Sequence, residues 1–166
     1  MKLPPYTIFP TITGDKVSLR EVQTYDLMNL IDISFYDGVQ ATSREEAMTM
    51  QTKINSDYEK GNSIHWCIVD NLTNTIVGTC GYYRGMDTGT GELGCILLPQ
   101  YRGQGYMSCA MLLAIDFGLK QIELKRIRAV TSQHNVDAVK LLERIDFVKT
   151  ADLDGHEIEY ELRHYV

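Results

Sequence analysis

The stretch from Gly91 to Thr131 constrains this chain more than any other. It reads as an apolar strand, "GELGCILL", then the turn "PQYRGQG", an apolar helix running to about Lys120 and a second strand, "KRIRAVT". A strand–helix–strand unit of this kind makes its two strands parallel, joined by a right-handed crossover. The helix then has to pack on the sheet, and Met107, Ala110, Met111, Ala114 and Phe117 mark its inner face. Gly103 and Gly105 stand at the start of this helix, where glycine lowers helix stability. Two readings account for them: a tight strand-to-helix turn, or a nest of backbone N–H groups aimed at an anion such as a phosphate. The turn is neither a Walker loop nor a dinucleotide fingerprint, because no Gly-Lys-Ser/Thr follows and a third glycine is missing.

The flanking segments extend the unit into a larger sheet. "KVSLREV" alternates as a strand. "TYDLMNLIDISFYD" predicts one helix capped by Thr24, with Leu27, Leu30, Ile31 and Phe35 at helical spacing. In the next segment Thr42 or Ser43 caps a helix, Ser43 has Glu46 three residues on, the capping-box pattern, and Gly61 stops that helix. "SIHWCIVD" and "TIVGTCGYY" are strands joined by the turn residues Asn71 to Asn74, and the loose loop "RGMDTGTG" follows. After the central unit, Asn135 caps a helix over "VDAVKLLERI", and two strands between Phe147 and Tyr165 turn at Asp154-Gly155. The order predicts an α/β mixed fold: one twisted sheet of about seven strands flanked by about four helices. No Pro/Gly/Ser linker or repeat divides it, so residues 1–166 form one domain.

Composition narrows the function. A net charge of -6 argues against a nucleic-acid partner and suits a basic acceptor such as an amine. No apolar run reaches the length of a membrane span, and "MKLPPYTIF" has no signal core, which makes the cytoplasm the expected location. Cys67, Cys80, Cys95 and Cys109 lie inside apolar runs as buried free thiols. The histidines, His65, His134, His156 and His164, form no ligand-spaced cluster, so no metal site is expected.

Gln100-Tyr101-Arg102-Gly103-Gln104-Gly105 fits the Q/R-x-x-G-x-G/A signature of the GNAT N-acetyltransferase superfamily. The wider runs "GELGCILLPQYRGQGYMSCAMLLAIDFGL" and "RIRAVTSQHNVDAVKLLERIDF" resemble its branch of ribosomal-protein alanine and serine N-acetyltransferases, and the element order matches over essentially the full chain. The resemblance implies acetyl-CoA as co-substrate and direct transfer of its acetyl group to a primary amine. Backbone N–H groups of Arg102, Gly103, Gln104, Gly105, Tyr106 and Met107 would face the CoA diphosphate, aided by the helix N-terminus. Ile96, Leu97 and Leu98 would pair their backbone with the pantetheine arm, and Asn135 would add a contact to CoA.

Glu92 begins the strand and, by the period of two, shares a face with Ile96 and Leu98. The resemblance makes it the general base, acting directly or through water; the bland alternative is a solvated strand-end glutamate. Tyr82, Tyr83 and Tyr106 either line the acceptor pocket or pack in the sheet. The chain departs from the branch at three positions. Ala138 stands where a serine could protonate the leaving thiolate, Asp146 replaces the usual Gly before Phe147, and Cys109 replaces a common Glu. The acceptor stays open between a protein N-terminal α-amine and a small amine such as a polyamine or aminoglycoside. A non-catalytic acyl-CoA-binding module is the alternative outside enzyme chemistry, and a homodimer is compatible with the sequence.

Overall fold

A computed structural model describes residues 1–163; His164 and Tyr165, which the pattern assigns to the last strand, lie outside the described residues. The strands are β1 (Ile12–Thr13), β2 (Val17–Glu21), β3 (Phe35–Tyr36), β4 (Val39–Gln40), β5 (Ile64–Asp70), β6 (Thr75–Tyr82), β7 (Thr90–Leu97), β8 (Arg126–Ser132), β9 (Phe147–Asp152) and β10 (Glu157–Leu162). The helices are α1 (Leu27–Leu30), α2 (Arg44–Glu59), α3 (Tyr106–Phe117) and α4 (Val136–Arg144). Eight strands form one sheet in the order β1-β2-β5-β6-β7-β8-β10-β9, and β3 and β4 form a separate hairpin. Among the described residues only β7 and β8 pair in parallel, as the central unit requires; every other pairing is antiparallel.

The two faces of the sheet bury two apolar clusters, separated by the strand period. Trp66, Val77, Leu93 and Leu97 pack with Ala110, Ala114 and Phe117 of α3. Cys67, Val69 and Leu98 face the other way, against Leu27, Leu30 and Ile33. Among the described residues, no helix is long and apolar enough to cross a membrane.

One predicted helix is corrected. Residues 24–33 form short turns around the single turn of α1, and Phe35 lies in β3. Ile33, not Ile31 or Phe35, completes the buried face with Leu27 and Leu30. The cap is Gln23 rather than Thr24: its N–H donates to Asp26 Oδ2 at 2.7 Å, and Arg20 grips the same carboxylate at 2.7 and 3.1 Å. At the other end, Ser34 Oγ donates to the Leu30 carbonyl, and Asp37 and Gly38 turn the chain with positive φ, as in a tight hairpin. The Asp-Gly signal overrode the helical spacing of Phe35.

The other caps form as the residues predict. Ser43 Oγ accepts from the Glu46 N–H at 3.1 Å, and Asn135 Oδ1 from the Ala138 N–H at 3.2 Å. Glu46 reaches back to Thr42 rather than to Ser43.

Candidate active site

β7 and β8 share only three rungs, Thr90–Arg126, Gly91–Ile127 and Glu92–Arg128, and then part. The bonds from Tyr83 N–H to Glu92 O and from Leu98 N–H to Val77 O fix the phase of β7 against β6. Even-numbered residues turn their backbone to β6, and odd-numbered ones turn theirs to the gap. Cys95 and Leu97 therefore present N–H and C=O groups to the gap, whereas Ile96 and Leu98 do not. Of the three residues expected to meet the pantetheine arm, Ile96, Leu97 and Leu98, the register turns the backbone of Leu97 to the gap.

At the end of β7 the chain makes a single turn at Pro99–Tyr101 and then enters α3 through Gly105. Gly103 and Gly105 have φ of 72° and 81°, the left-handed region that other residues enter at a cost. Among the described residues, no protein acceptor takes the backbone N–H groups from Gly103 to Ser108. A run of free donors at a helix start is able to hold an anion. Lys16, from the start of β2, donates its ammonium to the Gln104 carbonyl and lies 4.5 Å above the Tyr106 ring. The Tyr106 side chain is itself buried, with its hydroxyl donating to Asp70 at 3.2 Å, so only its backbone belongs to the loop.

Glu92 ends the shared ladder. Its carboxylate takes Arg128 Nη2 at 2.8 Å and Arg84 Nη1 at 3.4 Å. Arg128 continues to Glu159 at 2.8 Å, and Glu159 to Arg126 at 2.9 Å, tying β7, β8 and β10 together. Beside this network a cavity of about 340 Å³ opens between the sheet and the α1–α2 side. Glu92, Gly94, Cys95 and Ile96 of β7 form part of its wall, with His65 and Tyr83 next to them.

An acetyltransferase (GNAT) domain model matches residues 16–148. The chain belongs to the GNAT acetyltransferases. It is 30% identical over 117 residues to an uncharacterized N-acetyltransferase, p20, of Bacillus licheniformis, a match spanning 70% of this chain and 66% of that protein, just under two thirds of its length. A Vibrio cholerae structure described as a candidate ribosomal-protein-serine acetyltransferase superposes with a TM-score of 0.78 at 20% identity, covering 92% of this chain and 96% of that one. A mutant spermidine N-acetyltransferase from the same organism gives 0.72 at 17% identity, over 89% and 93%. These likenesses show the mixed α/β GNAT fold.

Three features of this GNAT chain escape a reading of the sequence. The first is Lys16, which reaches the glycine loop from 88 residues away. The second is His65, whose Nδ1 lies 2.7 Å from the Tyr83 hydroxyl. Burial in the cavity wall pushes its pKa down to about 4, so the ring is neutral at pH 7. The third is the seat of Tyr83: a Cβ on Gly94 would stand 2.9 Å from its ring, so that ring lies directly over the glycine. Alternation along the strand and a glycine opposite an aromatic are the signals that point to this pair. Cys95, on the wall, is a poor nucleophile, because its hydrogen bond with Cys80 and its burial push the thiol well above the ordinary range.

Proposed function

We propose that this chain transfers the acetyl group of acetyl-CoA directly to a small primary amine held in the cavity, within a ternary complex. One observation carries the reading: the residues of β7 that leave β8, Gly94 to Ile96, are also part of the cavity wall. Donors aligned along the gap and an acceptor in the cavity would meet there. The free N–H groups from Gly103 to Met107 would hold the CoA diphosphate, with Lys16 and Arg102 adding positive charge. Cys95 and Leu97 would pair with the pantetheine arm, and Asn135 stands near the far strand as a helix cap.

Acetyl-CoA supplies the acyl group. The amine's lone pair forms the C–N bond as the C–S bond breaks, and Glu92 takes the amine proton through a water. The thiolate leaves unassisted, since the Ser that could protonate it is Ala138 here, and its thiol has a pKa near the cysteine value of about 8.5. The raised Cys95 thiol supports direct transfer over a covalent acetyl-cysteine.

The charge balance of the wall favours a cationic acceptor. Asp37, Asp57 and Glu92 outnumber Arg84 and Arg128, the arginines that pair with Glu92, and His65 is neutral. A cavity of about 340 Å³ lies at the small end of ligand pockets, which favours a small amine over a folded protein's terminus. The test is thiol release from acetyl-CoA with a panel of amines and short peptides, with mass detection of the product. Acetylation of small amines above peptides is expected. Acetyl-CoA binding with no acetylated product from any acceptor would overturn the reading.

A further inference from the structure

The cavity has a second polar end, formed by Ser63 and Asp57. Ser63 precedes β5 and by alternation shares a face with His65. It is 4% exposed, lines the cavity, and among the described residues its Oγ has no hydrogen-bond partner. A buried hydroxyl left without a partner is costly and rare in a native protein, and marks a place where something else completes the bond.

Asp57 faces the same space from α2. The inward stripe of that helix runs Ala47, Met50, Ile54 and then Asp57, so a carboxylate replaces the apolar residue that the spacing would place there. Its Oδ2 accepts from the Tyr36 hydroxyl at 2.9 Å, while among the described residues no hydrogen bond or ion pair holds its Oδ1. Lys53, on the same helix, sits 5.2 Å over the Tyr36 ring. A smaller cavity of about 140 Å³ shares Gln51, Ile54 and His65 with the first and adds Glu21 and Glu59, so this end is acidic on both sides.

The sheet register sets the span. His65 pairs with Gly81, and Gly81 with Gly94, so two strand spacings separate His65 from the splayed part of β7. Ser63 lies two residues further along, which puts it on the order of 10 Å from Gly94.

We propose that Asp57 and Ser63 form a second recognition point for the acceptor, taking a second ammonium group on the order of 10 Å from the amine that is acetylated. This rests on acetyl transfer into the cavity. The ammonium would donate one hydrogen bond to Asp57 Oδ1 and one to Ser63 Oγ, and no proton would move.

The experiment compares linear terminal diamines of increasing length with monoamines of matched length, by thiol release and by calorimetry. Wild type should prefer one diamine length in kcat/KM by about tenfold or more, as a charge-assisted contact allows. In Asp57→Asn and Ser63→Ala that preference should collapse toward one, mainly through KM, with acetyl-CoA affinity reporting an intact fold. Thiol release with no diamine preference, or a preference untouched by both substitutions, overturns the second point and leaves the acetylation reading standing. Diamine binding that depends on Asp57 without any thiol release upholds the second point and removes the acetylation reading.

Discussion

Glu92 and Arg128 meet at 2.8 Å on the last rung of the parallel pair β7–β8. The ion pair marks where β7 and β8 stop bonding to each other and the gap begins. Two roles therefore compete for Glu92, the proposed base and a clamp on the ladder. Glu92→Gln separates them, because the amide keeps the shape but cannot take a proton. As the base, Glu92 should lower kcat by about a hundredfold when replaced, with acetyl-CoA affinity nearly unchanged. The loss should shrink at high pH, where more of the acceptor is already deprotonated. As a clamp alone, it should lower the melting temperature and leave saturating turnover near wild type.

The glycine loop offers a second test. The space around a Cβ at Gly105 contains only Lys16 Nζ, 3.8 Å away, so Gly105→Val meets little protein. It does meet the positive φ of 81°, which a β-branched residue tolerates poorly, and it covers the free N–H groups. Acetyl-CoA affinity should fall by more than about tenfold while the melting temperature drops by a few degrees. Lys16→Gln should weaken the same affinity by a smaller factor, and its effect should fade at high salt, as a charge contact does. Calorimetry at two ionic strengths checks both.

His65 predicts how stability depends on pH. Its folded pKa of about 4 lies below the unfolded value of about 6.5. Between these values the unfolded chain binds a proton that the folded chain refuses, so stability rises with pH. His65 therefore costs nothing above about pH 6.5, and stability falls progressively as the pH drops toward about 4. His65→Gln should flatten this part of the curve. Melting temperatures of both proteins across that window check it; parallel curves would show that the ring is not held neutral.

Much of this architecture is written in short-range signals. The parallel pair follows from one strand–helix–strand run, the caps Ser43 and Asn135 from residues three apart, and the glycine loop from six consecutive residues. Glu92 could be placed on the face of Ile96 and Leu98 by counting in twos. The segment from Thr24 to Asp37 was misleading because its apolar spacing is helical, while Asp37-Gly38 and the Arg20–Asp26 pair decide its shape. Lys16, Ser63 and Asp57 carry no local mark. Their meaning comes from register: which strand lies beside which, and which α2 residue faces β5. A lysine or a serine just before a strand is ordinary until the sheet is assembled.

Gly94 isolates the contribution of Tyr83 without removing any functional group. The Tyr83 ring rests on Gly94, with a hypothetical Cβ 2.9 and 3.2 Å from two of its carbons and no backbone atom among the close neighbours. Gly94→Ala must therefore move the ring, and with it the hydroxyl that lies 2.7 Å from His65. Tyr83→Phe keeps the ring seated and removes only the hydroxyl. If the ring shapes the acceptor site, Gly94→Ala should raise the acceptor KM by about tenfold, roughly the cost of one displaced contact, while Tyr83→Phe leaves it within a few-fold. If the hydroxyl matters through His65, both variants should show the same kinetic defect, while only Gly94→Ala, which shifts the ring packed beside His65, should move the His65 proton uptake toward its ordinary pH. Nuclear magnetic resonance titration of the His65 ring, read beside the kinetics, separates these outcomes. Unchanged KM and an unchanged titration in Gly94→Ala would mean that the ring finds another seat and that the glycine serves only the strand.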